Sequence, residues 1–379
     1  MSAIKNARPL LACHAFKTEG IVSDIKAARE AAEDCGVSLG AVQVFIAGPR
    51  GRKPTLTAAT IPALLEYLRA RPIAIYVHNV YTASPFTGDA AASADAAGFI
   101  REQLKTCAAI GAAGFVVHLP KAPVAAVVEG AAALLTPEAA GVRIFLETPA
   151  VTPRETYYET AEKLGELFRA LRREIDPKGG NFGLCVDTAH IWISGVNISS
   201  RAGAEAYLRG LAALGLPPGA LMFHLNDSAR PCGHGPDAHE GLFAGQIWSQ
   251  YADNPEASGA YAFLRFALEH GCVVVLERKP ESALGDDYRA IARMFPELTA
   301  ADGAAAADGA AAAGGAAAEP RAGRHLFSLV GAPGSEALDT ACLKFVKRNL
   351  GRRPMPLPLA ERGGCPRREY HGGPAVERP

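Results

Sequence analysis

The chain has 379 residues, with 39 Lys and Arg against 39 Asp and Glu, so its formal net charge is zero. A hydrophobic fraction of 49% is typical of a globular protein and excludes a wholly disordered chain. The sequence predicts no membrane-spanning helix, and its start, MSAIKNARPL, has no apolar core of a secretion signal. The balanced charge also argues against a nucleic-acid partner, because such proteins commonly carry a basic excess.

Short apolar runs, most of them rich in β-branched or aromatic residues, recur along the chain. Such runs are typical of strands buried on both faces of a parallel sheet. We expect strands at residues 10–16, 41–46, 73–79, 114–120, 142–148, 182–188, 220–227 and 272–278. Helical patterns lie between or after them, at residues 22–35, 61–69, 92–110, 155–175, 204–214, 257–270 and 286–294.

Eight such units within residues 9–298 predict a (β/α)₈ TIM barrel. A doubly wound open sheet is the alternative, but no Gly-rich phosphate-binding motif follows a strand. Residues 301–318 consist of twelve Ala, four Gly and two Asp, with no apolar face to bury. We therefore expect a barrel domain at 1–299, an Ala/Gly-rich linker at 300–324 and a mostly disordered basic tail at 325–379.

The eight cysteines include no Cys-x-x-Cys pair, and several of them lie in apolar runs. This pattern favours buried free thiols in a reducing intracellular compartment, nucleus or cytoplasm, and argues against a cysteine zinc site.

Imidazole and carboxylate groups stand at the carboxyl ends of the predicted strands, where a parallel barrel carries its active site. Five of the ten histidines lie at these ends or in the loops after them, so scattered rim residues are a poor explanation. With four carboxylates, the set is His78, His118, Glu147, Asp187, His190, His224, Asp237, His239 and Glu277.

Carboxylates that end buried apolar strands would repel one another and lose their hydration. Bound cations remove both costs, and imidazole with carboxylate ligands suits Zn²⁺ or Mn²⁺. Nine ligands suit two or three ions, and closely spaced metal ions are suited to in-line attack on a phosphodiester. Asp237 and His239 have the i, i+2 spacing that directs two side chains of an extended segment the same way.

The segments GLCVDTAHIWISG and HLNDSARPCGHGPDAHEGLFAG resemble signature blocks of the endonuclease IV family of apurinic/apyrimidinic (AP) endonucleases. YVHNVY, VVHLP, FLETPA and VVLER fit the other metal-bearing strand ends of that family, in the correct order. The resemblance covers residues 9–298. It implies a TIM-barrel hydrolase with three zinc ions per chain, Mn²⁺ being an alternative at one site. Such enzymes cleave double-stranded DNA 5′ to an abasic site and leave a 3′-hydroxyl and a 5′-deoxyribose phosphate.

The resemblance also implies how the ligands divide among the ions. One ion would be held by His78, His118 and Glu147. Glu147 would bridge to a second ion, held further by Asp187, His224 and Glu277. The third would be held by His190, Asp237 and His239. Glu147 or Glu277 would act as the catalytic residue that orients the attacking hydroxide.

Family likeness further predicts DNA contacts by Tyr81 and by Arg50, Arg52 and Lys53 of the loop AGPRGRKP, for which a solvated basic loop is the alternative. The loops TPAVTPRE after Glu147 and LPKAP after His118 depart from the turns usual in the family.

We expect a monomer with no membrane partner.

Asn226 and Asp227, next to His224, are expected to fix the tautomer of its imidazole.

Two other functions fit parts of the sequence. A divalent-metal sugar isomerase or epimerase on a similar barrel would use Glu, Asp and His, but it needs only one or two ions. A non-catalytic barrel would bind DNA or a protein partner through the tail.

Residues 300–379 hold eleven Lys and Arg against eight Asp and Glu, which leaves the barrel at −3. Three Zn²⁺ ions would reverse that sign, so the neutral total does not exclude DNA.

Overall fold

The computed structural model describes residues 11–16, 19–150, 157–278 and 284–296. Its strands are β1 (Leu11–Ala15), β2 (Ala41–Val44), β3 (Ala74–His78), β4 (Gly114–His118), β5 (Arg143–Glu147), β6 (Phe182–Asp187), β7 (Leu221–His224), β8 (Asp227–Ser228), β9 (His239–Glu240) and β10 (Val273–Leu276). All except β8 and β9 form a closed parallel barrel in the order β1-β10-β7-β6-β5-β4-β3-β2. The predicted TIM barrel is confirmed.

The described helices are α1 (Ile21–Glu33), α2 (Ile61–Ala70), α3 (Ala90–Ile110), α4 (Val124–Ala132), α5 (Ala161–Glu174), α6 (Thr188–Ile193), α7 (Arg201–Ala212), α8 (Gly259–His270) and α9 (Gly285–Met294). Several of these helices begin after a residue whose side chain accepts a backbone N–H of the first turn, such as Asp89 at α3 and Ser258 at α8. The sequence predictions omitted α4, α6 and the antiparallel hairpin of β8 and β9. Helix α6 follows β6 without a loop, because Asp187 ends the strand and also caps the helix.

The barrel interior has an apolar layer at mid-height. Its members are Ala12, Ala41, Tyr76, Val116, Phe145, Cys185, Met222, Val273 and Val275. Phe145 fits because glycines lie on both neighbouring strands. A Cβ atom would lie 2.5 Å from its ring at Gly114 and 2.8 Å from it at Gly183. A second, larger core packs the outer faces of the strands against the helices.

The predicted linker at 300–324 and tail at 325–379 lie outside the described residues. Six cysteines are free in the described part of the chain, four of them buried. Within the same ranges, no helix has both the length and the apolar character needed to cross a lipid bilayer.

Candidate metal centre

The side chains of the mouth lie two residues beyond those of the apolar layer, strand by strand. Because side chains alternate across a strand, this spacing points both sets into the barrel. Phe145 is followed at this distance by Glu147, and Met222 by His224. Across the eight barrel strands, the offset places the following residues at the mouth: His14, Gln43, His78, His118, Glu147, Asp187, His224 and Glu277.

The structure brings the predicted ligands together at this mouth. Donor atoms lie within 4.8 Å of one another in four groups: His78, His118 and Glu147; His78, His224 and Glu277; Asp187, His190 and His239; and Glu147, Asp187, His224 and Glu277. The first and last of these coincide with the sets implied for two of the ions. Glu147 and Asp187, 1% and 0% exposed, each belong to two groups and so join them.

The third group differs from its expected composition, because Asp187 joins the two histidines. Asp237 lies beside them, on the more exposed side of the group. One of its oxygens is 3.5 Å from Nε2 of His190, and the other is 3.3 Å from Nε2 of His239. The structure therefore places all three expected residues together and adds the buried carboxylate of Asp187.

Backbone carbonyl groups fix the tautomers of three of the histidines. Nδ1–H of His78, His190 and His239 donates to a carbonyl oxygen, which can only accept. The acceptors are the carbonyls of Asn79, Thr148 and Glu277, at 2.7, 2.8 and 3.1 Å respectively. In each ring Nε2 is then left without a proton in the neutral form, as a metal ligand requires.

His224 is oriented the other way, and its partner is a residue that the sequence predictions missed. Its Nε2 lies 3.0 Å from Oε1 of Gln43, whereas Nδ1 lies 3.1 Å from Glu147 and 3.0 Å from Glu277. Gln43 is fully buried, and its amide nitrogen also lies 2.9 Å from Nδ1 of His14. Burial lowers the pKa of His14 to about 4, so its ring is neutral at pH 7.

The expectation that Asn226 and Asp227 fix the tautomer of His224 is wrong. Asn226 donates to Oδ2 of Asp187 at 2.8 Å and accepts from the backbone N–H of Glu277 at 3.0 Å. The Asp227 carboxylate accepts backbone N–H groups of the hairpin and of the loop after it. Both side chains therefore hold elements of the mouth in place without contacting the imidazole.

The imidazole and carboxylate groups of the mouth shift one another's pKa values. Burial opposes ionisation of Glu147, but the imidazoles of His118 and His224 outweigh it and hold its pKa well below the usual range. Burial would lower the pKa of His239, but Asp187 and Asp237 outweigh it and raise the value to about 9. Without cations, protons on His190, His224 and His239 therefore balance the carboxylates.

A metal ion can replace these protons. Nε2 of His239 is buried and has no hydrogen-bond partner among the described residues, although it faces two carboxylates. The donor set contains imidazole nitrogens and carboxylate oxygens, which suits Zn²⁺ and also Mn²⁺. The residues present therefore fit a multinuclear centre.

The residues expected to contact DNA lie in two loops beside the mouth. Tyr81 is 57% exposed, and its ring centroid lies 5.7 Å from that of His78 and 5.6 Å from that of His118. Its backbone N–H donates to the carbonyl of Pro49, which joins the loop after β3 to the loop after β2. A cavity of about 190 Å³ opens next to Tyr81, lined also by His78, His118 and their neighbours.

The three basic residues of the loop after β2 are exposed but differ in their contacts. Arg52 pairs with Asp95 of α3, and its guanidinium lies over the ring of Phe99 at 5.3 Å. Arg50 and Lys53 are also exposed. Arg52 is thus tied to the barrel wall and less available to a ligand.

Comparisons with known proteins place this chain in a family. Residues 29–258 match the model of the xylose isomerase-like TIM barrel family. A probable AP endonuclease of African swine fever virus (isolate Tick/South Africa/Pretoriuskop Pr4/1996) is 37% identical over 254 residues, which cover 66% of this chain and 83% of the relative. The chain belongs to the endonuclease IV family of AP endonucleases.

Other similar proteins cover most of the same chain. A probable endonuclease 4 of Nitratidesulfovibrio vulgaris (strain DP4) is 28% identical over 305 residues, which cover 76% of this chain and 98% of the relative. The crystal structure named AsfvAP:AG has a TM-score of 0.70 and 32% identity, covering 76% of this chain and 99% of that one. A D-tagatose 3-epimerase-like protein shares the fold alone, with a TM-score of 0.54 and 18% identity.

Proposed function

We propose that this chain is a zinc-dependent AP endonuclease. It hydrolyses the phosphodiester 5′ to abasic sites in double-stranded DNA and leaves a 3′-hydroxyl and a 5′-deoxyribose phosphate. The observation that carries the proposal is the third ligand group, Asp187, His190 and His239, which has Asp237 beside it and lies next to the two groups joined by Glu147. A sugar isomerase or epimerase needs one or two ions and has no use for this third group. The relatives, which are named probable AP endonuclease and probable endonuclease 4, support the same choice.

Each ligand group has its own task in this proposal. His78, His118 and Glu147 would hold the first ion, and Glu147, Asp187, His224 and Glu277 would hold the second. His190, Asp237 and His239 would hold the third, with Asp187 beside them. When bound, three Zn²⁺ ions, or two Zn²⁺ and one Mn²⁺, would supply Lewis acidity and positive charge to a phosphodiester.

Glu147 and Glu277 are the carboxylates that we assign to the attacking water. Glu147 has one oxygen 2.9 Å from Nε2 of His118 and the other 3.1 Å from Nδ1 of His224, so it lies between two ligand groups. Glu277 directs one oxygen to Gln43 and the other to His224. A carboxylate held on both sides keeps its orientation when substrate arrives, which is the preorganisation that catalysis needs.

The loops beside the mouth supply the DNA contacts in this proposal. Tyr81 offers an exposed ring next to the cluster, which suits stacking against an extruded sugar or a neighbouring base. Arg50 and Lys53 offer positive charge for the phosphate backbone, and Arg52 shapes the loop through Asp95. The protein acts as a monomer on double-stranded DNA.

The test is incision of a duplex oligonucleotide that carries one tetrahydrofuran abasic analogue. We expect a single cut on the 5′ side, with a 3′-hydroxyl that a polymerase extends without prior trimming. The undamaged duplex and a duplex with a central mismatch serve as substrate controls. Equal cutting of the undamaged duplex, or no cutting by metal-loaded protein that turns over a ketose, would refute the proposal.

A further inference from the structure

Gln43 is a fully buried amide on β2 that contacts two of the candidate ligands of the second ion. In the register of the barrel it lies opposite His14 of β1 and Tyr76 of β3. Its side chain reaches across the mouth to His224 and to Glu277, which belong to β7 and to the end of β10. An uncharged residue at the centre of a charged cluster must be explained by its hydrogen bonds.

Those hydrogen bonds permit one orientation of the amide. The Glu277 carboxylate can only accept, so the NH₂ group of Gln43 faces it, with Nε2 and Oε1 separated by 2.5 Å. The second N–H points to Nδ1 of His14 at 2.9 Å. The amide oxygen then faces His224, whose Nε2–H is its donor at 3.0 Å.

The tautomer of the neutral His224 ring follows from this orientation. With its proton on Nε2, the neutral ring has a bare Nδ1, which is the atom that lies 3.0 Å from Oε2 of Glu277 and 3.1 Å from Glu147. Gln43 binds the opposite oxygen of Glu277, Oε1. One amide therefore turns the ligand atoms of both residues toward the same point.

The other histidines show why this matters. His78, His190 and His239 obtain the same control from backbone carbonyl groups, which no substitution removes. His224 depends on a side chain instead. We infer that Gln43 is a positioning residue for the second metal ion. Gln43 leaves Nδ1 of His224 unprotonated and free to bind the ion, and it holds the carboxylate of Glu277 in place. The inference rests on the proposed metal centre and does not depend on which phosphodiester is cleaved.

The test replaces Gln43 by Met, which keeps the length of the side chain and removes its three hydrogen bonds, to Glu277, His14 and His224. Outer partners of metal ligands commonly contribute about 10- to 100-fold in affinity. We expect zinc titrations against a graded chelator to show one ion bound about 10- to 100-fold more weakly, with the other ions unchanged. Co²⁺-loaded protein should show a changed visible absorption spectrum, because the ligand field of one ion is altered.

Two further variants guard against a trivial result. Thr106→Val removes a buried hydroxyl on α3 that bonds only to its own helix, and it should leave the zinc curve within twofold of the parent. His14→Phe keeps a ring between Phe16 and Phe45 and removes one contact of Gln43 together with the 3.3 Å contact between Nδ1 of His14 and Oε1 of Glu277. Because Gln43 keeps its hydrogen bonds to His224 and Glu277, we expect a smaller loss than for Gln43→Met. Thermal unfolding in excess chelator establishes that each variant is folded.

The outcomes separate the inference from the proposed function. If Gln43→Met binds every ion as tightly as the parent and has the same Co²⁺ spectrum, the inference is wrong, whatever the parent cuts. If the parent binds three ions and Gln43→Met loses one, the inference stands even when abasic DNA is not cleaved. Should Gln43→Met fail to fold, Gln43→Leu, which also removes the hydrogen bonds to His224 and Glu277, decides through the same titration: a curve identical to the parent overturns the inference.

Discussion

The apolar layer and the mouth of the barrel are built from the same strands, only two residues apart, and they obey different rules. Tyr76, Phe145 and Met222 fill the interior by packing alone. The residues two positions further on, His78, Glu147 and His224, are polar and contact one another at the mouth. The difference teaches that the apolar layer is stabilised by the packing of its own side chains. The mouth instead depends on bound cations to offset the charge of its buried carboxylates. Predictions that disturb one layer should therefore leave the other largely intact.

Glu147→Gln should have the largest effect. The substitution removes the charge shared by two ligand groups while keeping the shape of the side chain. We expect incision of abasic duplex to fall by at least about 10²- to 10³-fold, the range known for losing one preorganised electrostatic contact. Zinc content and incision rate are measured on the same preparation, with thermal unfolding as the check on folding. A variant that cuts at near the parental rate would remove Glu147 from the mechanism.

Phe145→Ala should disrupt the packing of the apolar layer and leave the metal ligands at the mouth in place. The ring fills the space left by Gly114 and Gly183, so truncation leaves a cavity. We expect a loss of about 3–5 kcal/mol in the free energy of unfolding. Zinc bound per folded chain should remain that of the parent. Chemical unfolding with metal analysis of the folded fraction gives both values, and loss of an ion at unchanged stability would contradict the separation of the layers.

The two layers should also differ in their response to pH. The folded-state pKa of His239 is raised to about 9, so its proton stabilises the metal-free protein below about pH 6.5, and this contribution is lost as pH rises through 9. Zinc must displace that proton. We therefore expect the increase in melting temperature on adding zinc to grow between pH 6.5 and 9. The same shift at every pH would show that His239 does not bind the metal.

Arg50→Ala should have the smallest effect of the series. Arg50 is exposed in the loop after β2, so its loss removes about one phosphate contact and reduces the salt dependence of DNA binding by about one unit of slope. Arg52→Ala is the matched comparison, because Arg52 is occupied by Asp95 and Phe99. Fluorescence anisotropy over a salt series distinguishes them. If Arg52→Ala lowers the slope as much as Arg50→Ala does, the ion pair opens on DNA.

Much of the fold could be predicted, because strands buried in a parallel sheet appear in the sequence as continuous apolar runs. The site could be predicted because charged residues follow these runs at the strand ends. The predicted strand ends bring His78, Glu147 and Asp187 to the same mouth in the structure. Short elements were missed for a physical reason. Helix α6 is only six residues long and depends on Asp187 as its cap, and the hairpin of β8 and β9 depends on pairing between residues eleven or more positions apart.

The partners of the ligands were harder to predict than the ligands themselves. Asn226 and Asp227 are neighbours of His224 in the sequence, yet its actual partner, Gln43, is 181 residues away. Such a contact follows from barrel closure and strand register, which local patterns do not contain. One signal was present: Gln43 and His14 are the polar residues in otherwise apolar runs, two positions after Ala41 and Ala12.

Metal analysis of the purified protein, combined with incision of the tetrahydrofuran duplex before and after chelation, tests the central claim most directly. We predict three zinc ions per chain, or two with one Mn²⁺. Stripping these ions should abolish incision, and adding zinc back should restore it. A chain that holds no metal at neutral pH in micromolar zinc, or one that cuts abasic DNA at full rate after stripping, would contradict the claim.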